Sequence, residues 1–149
     1  MMNHIKKVLA DPKRVCPVYD EKEGYELAGF VWFQGWNDWC DDHTYPRGNQ
    51  PGSFGQYSEL LAHFMRDVRR DLSAPKMRFV IGVMGHGGPI DDFSSGTVQK
   101  ERHRHFRAAM AAPAAMDEFK GNVVAVPTAP YWNKALSIIE EKRNKVSQM

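Results

Sequence analysis

Three short apolar runs, at 27–33, 77–84 and 122–126, alternate with longer stretches in which apolar residues recur at helical spacing. Short runs this rich in apolar residues, broken only by Arg78 and Asn122 near their starts, are the pattern of strands buried on both faces. Neighbouring parallel strands need a crossover of a dozen residues or more, usually a helix, whereas antiparallel strands need only a tight turn. The alternation therefore predicts an α/β chain: a three-layer α/β/α arrangement with a parallel sheet, helices on both faces and right-handed crossovers. The 149 residues fit one domain with a single core.

The helical stretches are bounded by recognisable signals. Ile5, Val8 and Leu9 fall on one face, and Asp11-Pro12 ends that segment. Ser53 is placed to cap a helix whose apolar face holds Tyr57, Leu60, Leu61, Phe64, Val68 and Leu72, with Ser73-Ala74-Pro75 as its break. A helix over 98–112 turns Phe106, Ala109 and Met110 inward, and Pro113 kinks or restarts it. A last amphipathic helix covers 135–146. Between the first strand and Gly52 lies a loop rich in Gly, Pro, Asn and Asp, long enough to be functional or poorly ordered.

Composition narrows the partners. A net charge of +2, with basic residues interleaved with acidic ones as in Arg66-Asp67-Val68-Arg69-Arg70-Asp71, is a solvated helix face and not a nucleic-acid footprint. No apolar run reaches the length of a membrane span, and the N-terminus lacks the apolar core of a signal peptide. Cys16 and Cys40, the only cysteines, make neither a disulfide framework nor a metal-type pair, and their spacing leaves a single bridge open. No metal is expected, because Asp38, Asp41, Asp42 and His43 lack a recognised ligand spacing. Gly85-His86-Gly87-Gly88 has neither the Gly-Lys-Ser/Thr ending of a phosphate loop nor the dinucleotide fingerprint, so no cofactor is expected there.

Function is expected where the first strand ends. Val31-Trp32-Phe33 breaks into Gln34-Gly35, then Trp36, Asn37 and Asp38. In open α/β sheets, sites collect at the carboxyl ends of strands. Gln34 places a carboxamide donor there, and Gly35 lets the backbone turn. Trp32, Gln34, Gly35 and Asp38 resemble the Trp-x-Gln-Gly-Glu-x-Asp block of the sialate O-acetylesterase-like carbohydrate esterases, which are SGNH-type serine hydrolases. The phrases at 75–84 and 122–128 resemble the next two strands of that domain. Trp36 departs from the pattern, standing where the family has Glu.

The resemblance implies a flavodoxin-like fold and hydrolysis of an acetyl ester on a sugar, by a serine nucleophile and without metal or cofactor. Gln34 would then donate to the developing oxyanion or position the acyl group, with Gly35 and Asp38 shaping the loop. Trp36 cannot accept a hydrogen bond as Glu would, but it has a face on which a sugar ring can stack; Trp39 is near enough to join it, and packing is the alternative for both. His86, in its glycine-rich turn, and His43, in the long loop, are the histidines placed to reach such a site. His103 and His105 read as solvated on a charged helix.

The catalytic pair itself is missing from the pattern. No Gly-x-Ser-x-Gly or Gly-Asp-Ser element occurs, and Ser53, Ser58, Ser73, Ser94, Ser95, Ser137 and Ser147 read as caps or surface residues. No histidine lies between Tyr131 and Met149, where the resemblance places the base. The expectation is a central fragment of the esterase domain, covering 1–149, incomplete at both ends, inactive alone, and prone to self-association through an exposed sheet edge. The alternative is a non-catalytic carbohydrate-binding or interaction module.

Overall fold

The computed structural model describes residues 1–46, 48–92 and 96–147. Three strands, β1 (Gly29–Trp32), β2 (Arg78–Val83) and β3 (Val123–Pro127), form one parallel sheet in the order β1-β2-β3. Among the described residues five α-helices accompany them: α1 (Met2–Ala10), α2 (Trp36–Cys40), α3 (Gly55–Asp71), α4 (Thr97–Ala111) and α5 (Lys134–Ser147). The α/β class and the parallel sheet expected from the alternation are what the structure shows, each strand lying within two residues of its expected limits.

α3 and α4 pack on the same face of the sheet. Phe64 of α3 meets Phe30 edge-on at 5.7 Å and Trp32 at 4.6 Å, while Phe30 stacks on Phe79 at 5.0 Å. Phe54, Met65, Val68, Phe79, Ile81, Phe106, Met110 and Phe119 are fully buried between the layers. The opposite face is open: Val31, Phe33, Val124 and Val126 are exposed. Helices reach both faces of such a sheet when the strand order reverses. Here the order runs one way, so crossovers of one hand deposit both connecting helices on one side.

Smaller differences have local causes. Ser53 does not cap α3: its Oγ donates to the Gln50 carbonyl at 2.7 Å, and Phe54 holds the cap position. Leu60, expected on the inner face, is exposed, and Met65 and Ala62 take the buried positions instead. The long loop begins with a helical turn, α2, closed by the Trp39 N–H on the Gly35 carbonyl. Cys16 and Cys40 are both exposed free thiols.

The amino edge of the sheet is tied by Arg69. Its guanidinium donates to the Met77 carbonyl at 2.9 and 3.1 Å and to Asn122 Oδ1 at 2.6 Å, and lies over the Phe79 and Phe119 rings. In open α/β sheets it is the carboxyl edge at which sites collect.

Candidate functional site

Two loops meet at the carboxyl edge. One follows β1 through Phe33, Gln34 and Gly35 into α2; the other follows β2 through Met84 to Pro89. Because β1 and β2 are parallel, both loops leave on the same side. Trp36 of the first packs edge-on against His86 of the second, with ring centroids 4.5 Å apart. Phe33, Gln34, Gly35, Trp36, Asn37, Met84 and Met110 line a cleft of about 320 Å³.

The chain around Gly35 passes close over α4. A methyl group at this position would lie 2.9 Å from Phe106 Cζ and 3.3 Å from Met110 Cε, so glycine is required by the approach itself. Gly85 is tighter: a methyl there would lie 2.5 Å from both the Ala129 nitrogen and the Thr128 carbonyl carbon. Thr128 in turn donates both its N–H and its hydroxyl to the Val83 carbonyl, so the end of β3 braces the loop after β2.

Gln34 is held at two points, the second of them braced by Trp32. Its Nε2 donates to Asp38 Oδ2 at 2.8 Å, one helical turn onward. Its main-chain carbonyl accepts the Tyr57 hydroxyl at 2.9 Å, and Tyr57 accepts the Trp32 indole N–H at 3.4 Å. Burial above all, then the nearby Asp38 and Tyr45, push the Tyr57 phenol up to about 12, so it remains a donor at any ordinary pH. Behind the carboxamide lies a second cavity of about 190 Å³, lined by Trp32, Asp38, Tyr45, Tyr57, Leu61 and Phe64 among others. Gln34 stands between the two cavities. The carboxamide nitrogen carries two N–H groups, and Asp38 fixes the plane in which the second points. Asp38 thus shapes the loop by fixing Gln34, its partner one helical turn back.

Two arginines of α4 pin the two loops. Arg102 Nε donates to the Trp39 carbonyl at 2.9 Å and its Nη1 pairs with Asp42 at 2.6 Å, securing α2. Arg107 Nη2 donates to the His86 carbonyl at 2.8 Å and the Gly88 carbonyl at 3.0 Å, securing the glycine-rich turn. His103 lies between them in sequence and is buried against Trp39, with ring centroids 4.6 Å apart. This corrects the expectation that it is solvated. Burial, then Arg107, His86 and Arg102, hold its imidazole down to about 4, so it is neutral near pH 7 and a poor proton acceptor.

The predicted site residues Gln34, Gly35, Trp36, Asp38 and His86 come together at this edge. Trp36 is half-exposed and packs on Trp39 at 5.1 Å as well as on His86. Other histidines and serines are occupied elsewhere: His63 Nδ1 meets Arg66, His105 pairs with Glu101, and Ser58, read from sequence as a cap or surface residue, is buried with its Oγ donating to the Ala109 carbonyl. Ser94 and Ser95 lie outside the described residues. Among the described residues there is no group of three or more His, Cys, Asp or Glu side chains placed to hold a metal ion, and no helix is long and apolar enough to cross a membrane.

No known family, curated protein or solved structure matches this chain. The site therefore rests on its own geometry. Tyr57, Arg102, His103, Arg107 and Trp132, which packs edge-on against His86 at 5.0 Å, belong to it without any signal in sequence spacing. Tyr57 reads as one more apolar helix position, and the two arginines read as surface charge.

Proposed function

We propose that this chain supplies the donor side of a carbohydrate acetylesterase site. In this reading, Gln34 donates an N–H to the acyl oxygen as it becomes an oxyanion, and Asp38 holds the carboxamide in the required plane. Trp36, braced by His86, offers the aromatic surface beside it on which a sugar ring stacks. The observation that carries the reading is the Gln34 carboxamide, clamped to Asp38 at 2.8 Å at the carboxyl edge of the sheet, with an open cleft beside it. The resemblance of the Trp32–Asp38 block to sialate O-acetylesterase-like enzymes supplies the substrate class. The chain itself has no Gly-x-Ser-x-Gly or Gly-Asp-Ser element, so the nucleophile is not one of its own residues in this reading.

Binding separates from turnover in the test. An O-acetylated methyl glycoside should shift the NMR signals of the Gln34 side-chain amide and the Trp36 indole, and the deacetylated glycoside should shift the Gln34 amide far less. Turnover of p-nitrophenyl acetate should not exceed that of a heat-denatured control. Saturable turnover abolished by one Ser→Ala change would overturn the assignment of the nucleophile elsewhere. Equal shifts with both glycosides would favour a carbohydrate-binding module, since the acetyl group would then go unread.

A further inference from the structure

Beyond the row at the amino edge, where the exposed Arg78 lies beside Gly29, two rows of side chains cross the open face of the sheet. In the pairing register Val31 lies beside Val80, and Val80 beside Val124. One step along, Gly82 lies beside Val126, and the Phe33 ring lies across Gly82. Val31 and Phe33 are 70% and 68% exposed, and Val124 and Val126 are exposed as well. Neither row contains a charge. Parallel sheets occur almost only with both faces covered, and β-branched and aromatic residues on both sides are the composition of a covered face.

The chain carries a second bare apolar surface. Ala135, Ile138, Ile139, Lys142 and Val146 fall on one stripe of α5, with Leu136 beside it, and Leu136, Ile138, Ile139 and Val146 are all exposed. The root of this helix is held at the carboxyl edge by Trp132 against His86 and by Lys134 Nζ, 2.8 Å from Asp92. From that root α5 extends for about 21 Å, more than the width of three strands spaced about 4.8 Å apart.

We propose that the open sheet face is the docking surface for α5 of a second copy of this chain, in a two-fold dimer where each copy gives its helix to the other. The two surfaces are of matching kind, a helix stripe and a sheet face, which is the contact that builds α/β layers. The area decides between ways of pairing two copies. Each patch is on the order of a few hundred Å². Two reciprocal contacts put both patches of each copy into the interface and approach the roughly 800 Å² per partner of stable complexes. Sheet face against sheet face would use one patch per copy and leave both helices bare. A reciprocal contact also closes on itself, so association stops at two.

Sedimentation of the intact chain tests this. The wild-type chain should have twice the monomer mass. Val124→Lys with Val126→Lys on the face, and separately Ile138→Glu with Ile139→Glu on the helix, should each give monomers with unchanged far-UV circular dichroism. Mixing the two variants should restore a species of dimer mass, because the hetero pair keeps one intact helix-on-face contact and brings the opposite introduced charges together at the other. A helix variant that remains dimeric would overturn the proposal in favour of face-to-face or edge pairing. So would a wild-type chain that stays monomeric at every soluble concentration, whether or not it sediments with lipid vesicles, or one whose mass grows without limit. If the face variant loses its fold, the helix variant still decides, since the described side chains of α5 contribute nothing to the buried core.

Discussion

At Gly85 the backbone of β2's exit and the turn after β3 come too close for any side chain. The atoms a methyl group would meet at 2.5 Å are backbone atoms, the Ala129 nitrogen and the Thr128 carbonyl carbon, which cannot rotate away. Gly85→Ala should therefore destabilise the fold by about 2 kcal/mol or more, read as a lower midpoint in urea at unchanged slope. Tyr57→Phe removes a different kind of contact. It deletes the donor to the Gln34 carbonyl while keeping the ring against Phe106. A loss of about 1 kcal/mol is expected, with a shift of the Gln34 side-chain amide signals because the strand end relaxes. Gln34 and Gly35 were legible as site residues because a polar group and a glycine interrupt an apolar run. Tyr57 was not, because its ring satisfies the apolar periodicity of α3 and only the position of its hydroxyl shows its second task.

At the scale of elements, α3 ends in a Schellman turn built on a serine. The Ala74 N–H reaches the Arg69 carbonyl at 2.9 Å, the Ser73 N–H reaches the Arg70 carbonyl at 3.0 Å, and Ser73 has φ of 51°. An L-residue in this left-handed region costs about 1 kcal/mol, which glycine avoids. Ser73→Gly should raise stability by up to about 1 kcal/mol, seen as a higher thermal midpoint. α4 acts as the clamp of the site through Arg107. Arg107→Ala leaves the His86 and Gly88 carbonyls without their donor, so hydrogen exchange should quicken at 85–88 while the amides of β2 stay protected. The strands and α3 to α5 were legible in sequence, because periodicity and breakers are local properties. The helical turn of α2 was hidden by loop-forming residues, and the burial of His103 was hidden by the charges around it. Arg102 and Arg107 spend their charge on loop carbonyls, and the face they share with His103 is covered by those loops.

For the whole molecule, His103 couples stability to pH. Its folded value of about 4 lies below the ordinary 6.5, so below pH 6.5 the unfolded chain binds the proton more readily than the folded one. The contribution of this group is fully present above pH 6.5 and is lost as pH falls toward 4, by up to about 3 kcal/mol. Urea titrations at stepped pH should show this fall, and His103→Phe, which keeps an aromatic ring against Trp39, should flatten it.

Sequence alone determined the class of this fold. Continuous apolar runs separated by amphipathic stretches admit little besides a parallel sheet with connecting helices, and the end of β1 stood out because polar residues follow an apolar strand without a gap. Tertiary structure alone decided which face the helices cover, since a strand order that runs one way sends α3 and α4 to the same side. It also decided how the site is held. Asp38 can reach Gln34 because α2 turns there, and Arg102 and Arg107 reach two loops far away in sequence because the parallel strands deliver both loops to one edge. Distances between residues remote in sequence follow from the packing of layers, and no local pattern encodes them.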